Sequence, residues 1–214
     1  MTRRMRAVAE YWLRRLRRFV HTRQLLYVFA ASTHDAKSEW FAGSGSEGLP
    51  SDVPVTFRPG EERDLEAISE LAGGRDLDEM RRWLKAGHRV YVVFDREKLV
   101  YFEWVAFHDF FDPYLKITIP VKDDECFAFD AFTHPEYKLK NILRAASSKI
   151  ALDCHHRHGR QKIMACVDSV KWPLYQKLYR ITGLGEVHPV AEITRIRHFG
   201  IWKCHITKMR GSEP

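Results

Sequence analysis

The chain has 214 residues, 45% of them hydrophobic and 29% charged, with a formal net charge of +7. Residues 1–23 hold eight arginines and one acid, Glu10, which leaves 27 basic against 27 acidic residues in the remainder. That length suits one globular domain with an appendage, and a neutral remainder gives no basis for a nucleic-acid groove, so no nucleic acid is expected as a partner.

In the N-terminal segment Met5, Val8, Ala9, Trp12, Leu16, Phe19 and Val20 fall on one helical stripe, with arginines around it. Three readings stay open. A basic amphipathic helix over residues 3–20 can lie on an anionic membrane surface, can pack its stripe on the domain, or can be a transit peptide. Gln24–Ala31 is apolar but only eight residues long, too short to span a bilayer. Without a signal-peptide core or a spanning segment, a cytoplasmic protein is expected, peripheral to the membrane in the first reading. Residues 1–31 are thus assigned to a basic extension, and the Gly- and Ser-rich residues 32–52 to a linker. The domain is then expected to run from 53 to 214.

Val53–Arg58 reads as a strand and Glu61–Ala72 as a helix with Leu65, Ile68 and Leu71 inward, ended by Gly73 and Gly74. Asp76 caps a second helix, Leu77–Ala86, with Leu77, Met80 and Leu84 as its stripe. Val90–Phe94 and Leu99–Phe107 predict a hairpin whose turn lacks a glycine, and Tyr114–Ile119 another strand. Near the C-terminus, residues 190–196 and 200–206 predict a last hairpin. The order implies a mixed sheet with helices on both faces, an α/β or α+β layer fold. Cys126, Cys154, Cys166 and Cys204 form no CxxC pair or disulfide framework, which fits a reducing compartment.

The segment from Asp130 to Gly183 carries the chemistry. The strand Glu125–Thr133 meets His134-Pro135-Glu136-Tyr137 and a basic turn, Lys138-Leu139-Lys140-Asn141. A helix from Ile142 to about His156, a strand Lys162–Val167 and a short helix from Trp172 follow. A strand, a basic turn and a helix present helix-end amides to an anion such as a diphosphate. Thr133, Pro135 and Tyr137, the turn 138–143, then Asp168, Tyr175 and Lys177 at their spacings resemble the acyl-CoA site of the GNAT superfamily of N-acetyltransferases. Val55–Pro59 and Asp64–Ile68 resemble that family's first strand and helix, so the resemblance covers about residues 53–208. Asn141 and Leu143 stand where the family has glycine or alanine. Asn tolerates the left-handed conformation and can keep the turn, whereas Leu143 would crowd a pyrophosphate.

The resemblance implies a GNAT-like twisted mixed central sheet and N-acyl transfer from acetyl-CoA, or another acyl thioester, to a small amine such as an amino sugar. Phe132 and Thr133 would bind the pantetheine arm, and Lys138, Leu139, Lys140, Asn141, Ile142 and Leu143 the pyrophosphate, with Asp168 also at the cofactor site. Tyr175 is the candidate acid that reprotonates the thiolate. Asp130 and Glu103 are candidate bases, because each interrupts an apolar strand and a buried carboxylate is costly unless paired or placed for function. Glu125, at a strand's start, is expected to be solvated. Cys154-His155-His156-Arg157-His158 offers consecutive ligands that point apart on a helix, so no metal is expected. Phe110-Phe111-Asp112-Pro113 reads as a loop able to line an acceptor pocket. Two alternatives remain: an acyltransferase using acyl carrier protein, docked at Lys138, Lys140 and Arg144, and a non-catalytic membrane-peripheral binding protein.

Overall fold

The computed structural model describes residues 21–33, 53–138, 140–182, 187–198 and 201–208. Ten strands and four α-helices follow in the described order: β1 His21–Ser32, β2 Thr56–Pro59, α1 Leu65–Leu71, α2 Leu77–Lys85, β3 Arg89–Asp95, β4 Lys98–Ala106, β5 Phe110–Asp112, β6 Ile117–Ile119, β7 Glu125–Thr133, α3 Ile142–His158, β8 Lys162–Asp168, α4 Trp172–Thr182, β9 His188–His198 and β10 Ile201–Lys208. Eight strands form one sheet in the order β10-β9-β1-β8-β7-β4-β3-β2, and β5 and β6 pair separately. Among the described strands only β7 and β8 run parallel, so the sheet is mixed.

Alternation along the strands divides the core. Tyr91 and Val93 of β3, Tyr101 and Val105 of β4 and Ala128 of β7 face a cluster with Ile142, Ala145, Ala146, Ile150 and Ala151 of α3. Val90, Val92, Phe102, Trp104 and Phe127 face the other side, with Leu65 and Ile68 of α1 and Met80 and Trp83 of α2. Residues two apart on a strand share a face, and residues three or four apart share a helix face, so both layers follow from the apolar spacing. The small residues of α3 seat that helix closely on the sheet.

β1 corrects the expected domain boundary. Residues 21–31 do not belong to a basic extension and Ser32 does not begin a linker: the whole strand lies inside the sheet, antiparallel to both β8 and β9. Its apolar run reads as continuous because both faces are covered, with Phe29 fully buried. The strand's end is fixed by Thr33, whose amide donates to Gln161 O at 2.9 Å and whose hydroxyl donates to Arg160 O at 2.6 Å. The amphipathic stripe of residues 5–20 and the rest of the expected linker, 34–52, lie outside the described residues.

Smaller departures have local causes. The first helix starts as a 3-10 turn, Glu62–Asp64, because Asp64 receives Arg58 in two hydrogen bonds of 2.7 Å and the Glu61 amide at 2.7 Å. The β3–β4 turn dispenses with glycine by placing Arg96 at φ 55°. Tyr114 to Lys116 is not strand, because Asp112 accepts from the amides of Tyr114 and Leu115, both at 2.8 Å, and holds a turn. Trp83 rather than Leu77 or Leu84 fills the core beneath α2. No described helix is long and apolar enough to cross a membrane.

An internal strand cannot be trimmed as an appendage can. A chain starting at residue 34 is expected to be insoluble or unfolded by circular dichroism, whereas one starting at residue 20 keeps a cooperative melt. Phe29→Ala in the full chain is expected to cost about 3–5 kcal/mol in denaturant titration.

Candidate functional site

The site begins where β7 and β8 stop pairing. Their parallel register runs from Glu125↔Lys162 to Ala128↔Ala165 and no further. Beyond it β7 stays with β4 through Phe132↔Phe102 and Thr133↔Tyr101, while β8 stays with β1 through Leu26↔Asp168. The register on β4 slips between Phe102 and Trp104, so β7 carries a bulge, and Asp130 sits in it at φ 47°. A left-handed residue that is not glycine is most often Asp or Asn, whose short polar side chains bond locally. Past Ala128 and Ala165 the two strands no longer bond each other.

The basic turn lies beyond the β7 arm. His134 begins a 3-10 turn, Pro135–Tyr137, and accepts the Glu136 amide on Nδ1 at 3.3 Å. Tyr137 is buried, donates its hydroxyl to Asp95 at 2.6 Å, and has the Lys140 ammonium 4.6 Å and the Lys98 ammonium 5.4 Å from its ring centroid. Asn141 caps α3 at φ 59°, the left-handed geometry its side chain suits. Ile142 is buried and Leu143 half-buried against the α3-side cluster, so Leu143 has part of its side chain in the core rather than wholly over the turn. Lys138 is exposed. Leu139 lies outside the described residues. The first-turn amides of α3 have no partner within the helix, and its dipole is positive there.

The candidate carboxylates go to opposite layers. Glu103 is 7% exposed, accepts the Tyr101 hydroxyl at 2.5 Å on Oε2 and is also bonded by Ser147 of α3. Burial pushes its carboxyl up to about 7, against the pull of these two hydroxyls. Tyr175 of α4 packs on Phe29, with ring centroids 6.1 Å apart. Its hydroxyl is pushed up by burial and then by the charge of Glu103. Asp130 instead meets Arg75, from the loop between α1 and α2, at 2.5 Å. Its carboxyl is raised by burial, lowered by Arg75, and raised by Glu79 and Asp112. Phe132, two residues further along the same strand, is 38% exposed.

Asp168 ends β8 with its carboxylate occupied: it accepts the Val170 amide at 2.9 Å and the Gln24 side chain at 2.9 Å, which hold it below the usual carboxylate range. Glu125 is not solvated as expected. It is 8% exposed and accepts the Lys122 amide at 3.2 Å, closing the turn that leads into β7. Phe110 is not part of a loop lining but a core residue at 2% exposure, whereas Phe111 and Tyr114 are exposed. Gly159 closes α3 at φ 65°, and the histidines before it form no metal-binding group among the described residues.

No protein-family model and no curated protein matches the sequence. Among solved structures, a GNAT-family acetyltransferase from Novosphingobium aromaticivorans, so described, superposes with a TM-score of 0.53 at 11% identity, covering 88% of this chain and 66% of that one. The chain shares the fold of that structure. A Drosophila protein superposes equally, with a TM-score of 0.53 at 12% identity over 92% of this chain and 57% of its own. The chain thus spans about 57–66% of the length of these two structures.

Within this fold, Tyr101, Ser147 and Arg75 carry no mark in the sequence that singles them out. Tyr101 was recoverable, since it lies two residues before Glu103 and therefore on the same face of β4. Ser147 and Arg75 come from elements whose docking no spacing reveals. Glu103 also sets a measurable pH dependence. Its folded value near 7 lies above the ordinary 4.5, so the folded state holds the proton more tightly and this group's contribution falls as pH rises through that window. The loss is roughly 3 kcal/mol above pH 7. Glu103→Gln is expected to melt higher than the parent chain by a margin that grows between pH 5 and pH 8 in differential scanning calorimetry. His88 works in the opposite direction: burial, then His108, depress it to about 4, so its contribution is lost as pH falls from 6.5 toward 4. His88→Leu is expected to flatten the acid side of the same melting curve.

Proposed function

We propose that the protein is an N-acyltransferase that moves an acetyl group, or a related acyl group, from coenzyme A to a small amine. The observation that supports this reading is the end of β7–β8 pairing after Ala128 and Ala165, while each strand stays paired on its other edge. An extended thioester arm fits between strand ends that no longer bond each other. Backbone groups at Phe132 and Thr133 would receive the pantetheine amides. The N-terminus of α3, from Asn141 to Leu143, would receive the diphosphate, with Lys138, Leu139 and Lys140 contributing from the turn. Asp168 would hold the β8 arm rather than touch the cofactor, since both its oxygens are already engaged.

In the reaction the amine nitrogen attacks the thioester carbonyl carbon, the C–S bond breaks, and the thiolate takes a proton. Asp130 suits the base. Its carboxyl is partly accessible, raised in the direction a base at neutral pH requires, and steadied by Arg75. Tyr175 suits the acid, being half-buried and kept protonated by its surroundings. An amine acceptor would approach from the α1–α2 side, where Phe111, Tyr114 and Phe132 are exposed. Glu103, the other candidate base, is buried on the far layer beneath α3.

Calorimetric titration of the full chain with acetyl-CoA is expected to give micromolar binding, weakened about tenfold in a Lys138→Ala/Lys140→Ala double variant. Tyr175→Phe is expected to keep that affinity and lower the rate of thiol release by about 10²-fold or more. Absence of binding up to millimolar acetyl-CoA would overturn the coenzyme A reading. The acyl carrier protein and non-catalytic readings would then stand in its place.

A further inference from the structure

Two arginine–carboxylate pairs in this chain are built differently. In the first, Arg58 bonds both oxygens of Asp64 at 2.7 Å and the Glu61 amide adds a third bond at 2.7 Å, so that carboxylate is fully engaged. In the second, Arg75 reaches Oδ1 of Asp130 at 2.5 Å, and Oδ2 is buried with no hydrogen-bond partner among the described residues. Asp130 also sits at φ 47° in the β7 bulge. A buried oxygen without a donor and a left-handed residue that is not glycine both cost stability, and such costs gather at functional positions. The first pair closes a turn of the fold. The second leaves half of its carboxylate open.

We propose that Arg75, braced by Glu79 and Trp83, is a positioning residue for Asp130, holding one carboxylate oxygen so that the other can take the proton of the acceptor amine. The loop that carries Arg75 is short and fixed at both ends. α1 closes on Gly73 at φ 78° and Gly74 at φ 93°, with the Gly74 amide donating to Ser69 O at 2.8 Å. Asp76 then caps α2 by accepting the Asp78 amide at 2.9 Å. Between the two, the Arg75 carbonyl accepts the Ser69 hydroxyl at 2.6 Å. The guanidinium carbon lies 5.9 Å from the Trp83 ring centroid, and Nη1 stands 4.0 Å from Glu79 Oε2. One planar fork thus faces two carboxylates, Asp130 through Nη2 and Glu79 through Nη1, which a lysine ammonium does not reproduce. Arg75 does not touch the reacting atoms. It acts through Asp130.

This role rests on the acyl-transfer reading. As the amine nitrogen bonds to the thioester carbonyl carbon, the C–S bond breaks and its electron pair stays on sulfur. The amine gives its proton to Asp130, which passes it to solvent. Tyr175 protonates the sulfur and regains a proton from solvent, so thioester plus amine gives thiol plus amide. Asp130 keeps 19% of its side-chain surface exposed, which leaves a route for that exchange. Among the described residues, the charged groups that act on it are Arg75 and Glu79 from the α1–α2 side and Asp112 from the end of β5. Burial raises its carboxyl, Arg75 lowers it, and Glu79 and Asp112 raise it again. Removing the Arg75 charge therefore makes Asp130 harder to ionise, and the base becomes available only at higher pH. Removing the Glu79 charge works in the opposite direction.

Two readouts test this in the full chain. The first needs no activity: the carboxyl carbon of Asp130, in a chain carrying isotope-labelled aspartate and assigned by its loss in Asp130→Asn, is titrated by NMR. The midpoint is expected to rise in Arg75→Gln, to fall in Glu79→Gln and to stay near the parent in Arg75→Lys. Unchanged midpoints, or shifts of the same sign in the first two, overturn the proposal. The second is thiol release from acetyl-CoA with glucosamine, ethanolamine and spermidine as the amines. Arg75→Gln is expected to lower kcat about tenfold or more at neutral pH and to move the acid limb of kcat/KM to higher pH, with the KM for acetyl-CoA unchanged. Arg75→Lys should recover part of the rate, and Glu79→Gln should move the limb to lower pH. A loosened loop alone would not displace the limb in opposite directions. If thiol is released and the Arg75→Gln profile matches the parent, the positioning role fails while acyl transfer stands. If the midpoints shift as expected and no amine releases thiol, the acyl-transfer reading fails while the control of Asp130 by Arg75 stands.

Discussion

Four residue pairs hold β7 to β8, and the rest of the molecule is arranged around their parting. A sheet does not open by itself, because exposed strand edges leave backbone groups without partners. Here each arm has its own antiparallel neighbour. β4 keeps β7 as far as Thr133, and β1 keeps β8 as far as Asp168. The arms can diverge because each has one fully paired edge. Past Ala128 and Ala165 the facing edges of β7 and β8 no longer bond each other.

This makes β1 more than a spacer. It joins β8 to the β9–β10 hairpin and stacks Phe29 beneath Trp172 and Tyr175 of α4, with ring centroids 5.4 Å and 6.1 Å apart. The helix carrying the candidate acid is thus seated on a strand contributed from far away in the sequence. On the other arm the bulge at Asp130 turns a carboxylate toward Arg75 and the α1–α2 loop, while Glu103 stays beneath α3. Two acids that look alike in the sequence occupy different layers with different partners, and their chemistry separates accordingly.

Much of the fold was legible where a single face is buried or a cap is explicit. The Asp76 cap, the glycines after α1 and α2, the hairpin β3–β4 and the turn into α3 all announce themselves. Asn141 takes the left-handed conformation its side chain allows, so the missing glycine did not hide that turn. β1 was hidden because it follows an arginine-rich stripe and precedes a Gly- and Ser-rich stretch, and a strand covered on both faces has no alternation to betray it. The candidate site was legible as a set of residues along the chain but not as a set of partners. Glu103 and Asp130 both stand out as charges in apolar strands, yet the layer Asp130 faces depends on a one-residue bulge in β7 that shifts register without a sequence mark.

The central claim is that the gap between the β7 and β8 ends receives an acyl thioester. Amide hydrogen–deuterium exchange of the full chain, with and without acetyl-CoA at saturating concentration, addresses it most directly. The account predicts slowed exchange confined to residues 130–133 on the β7 arm and 140–145 at the start of α3. Unchanged exchange in both segments, or protection confined to other parts of the sheet, would contradict it.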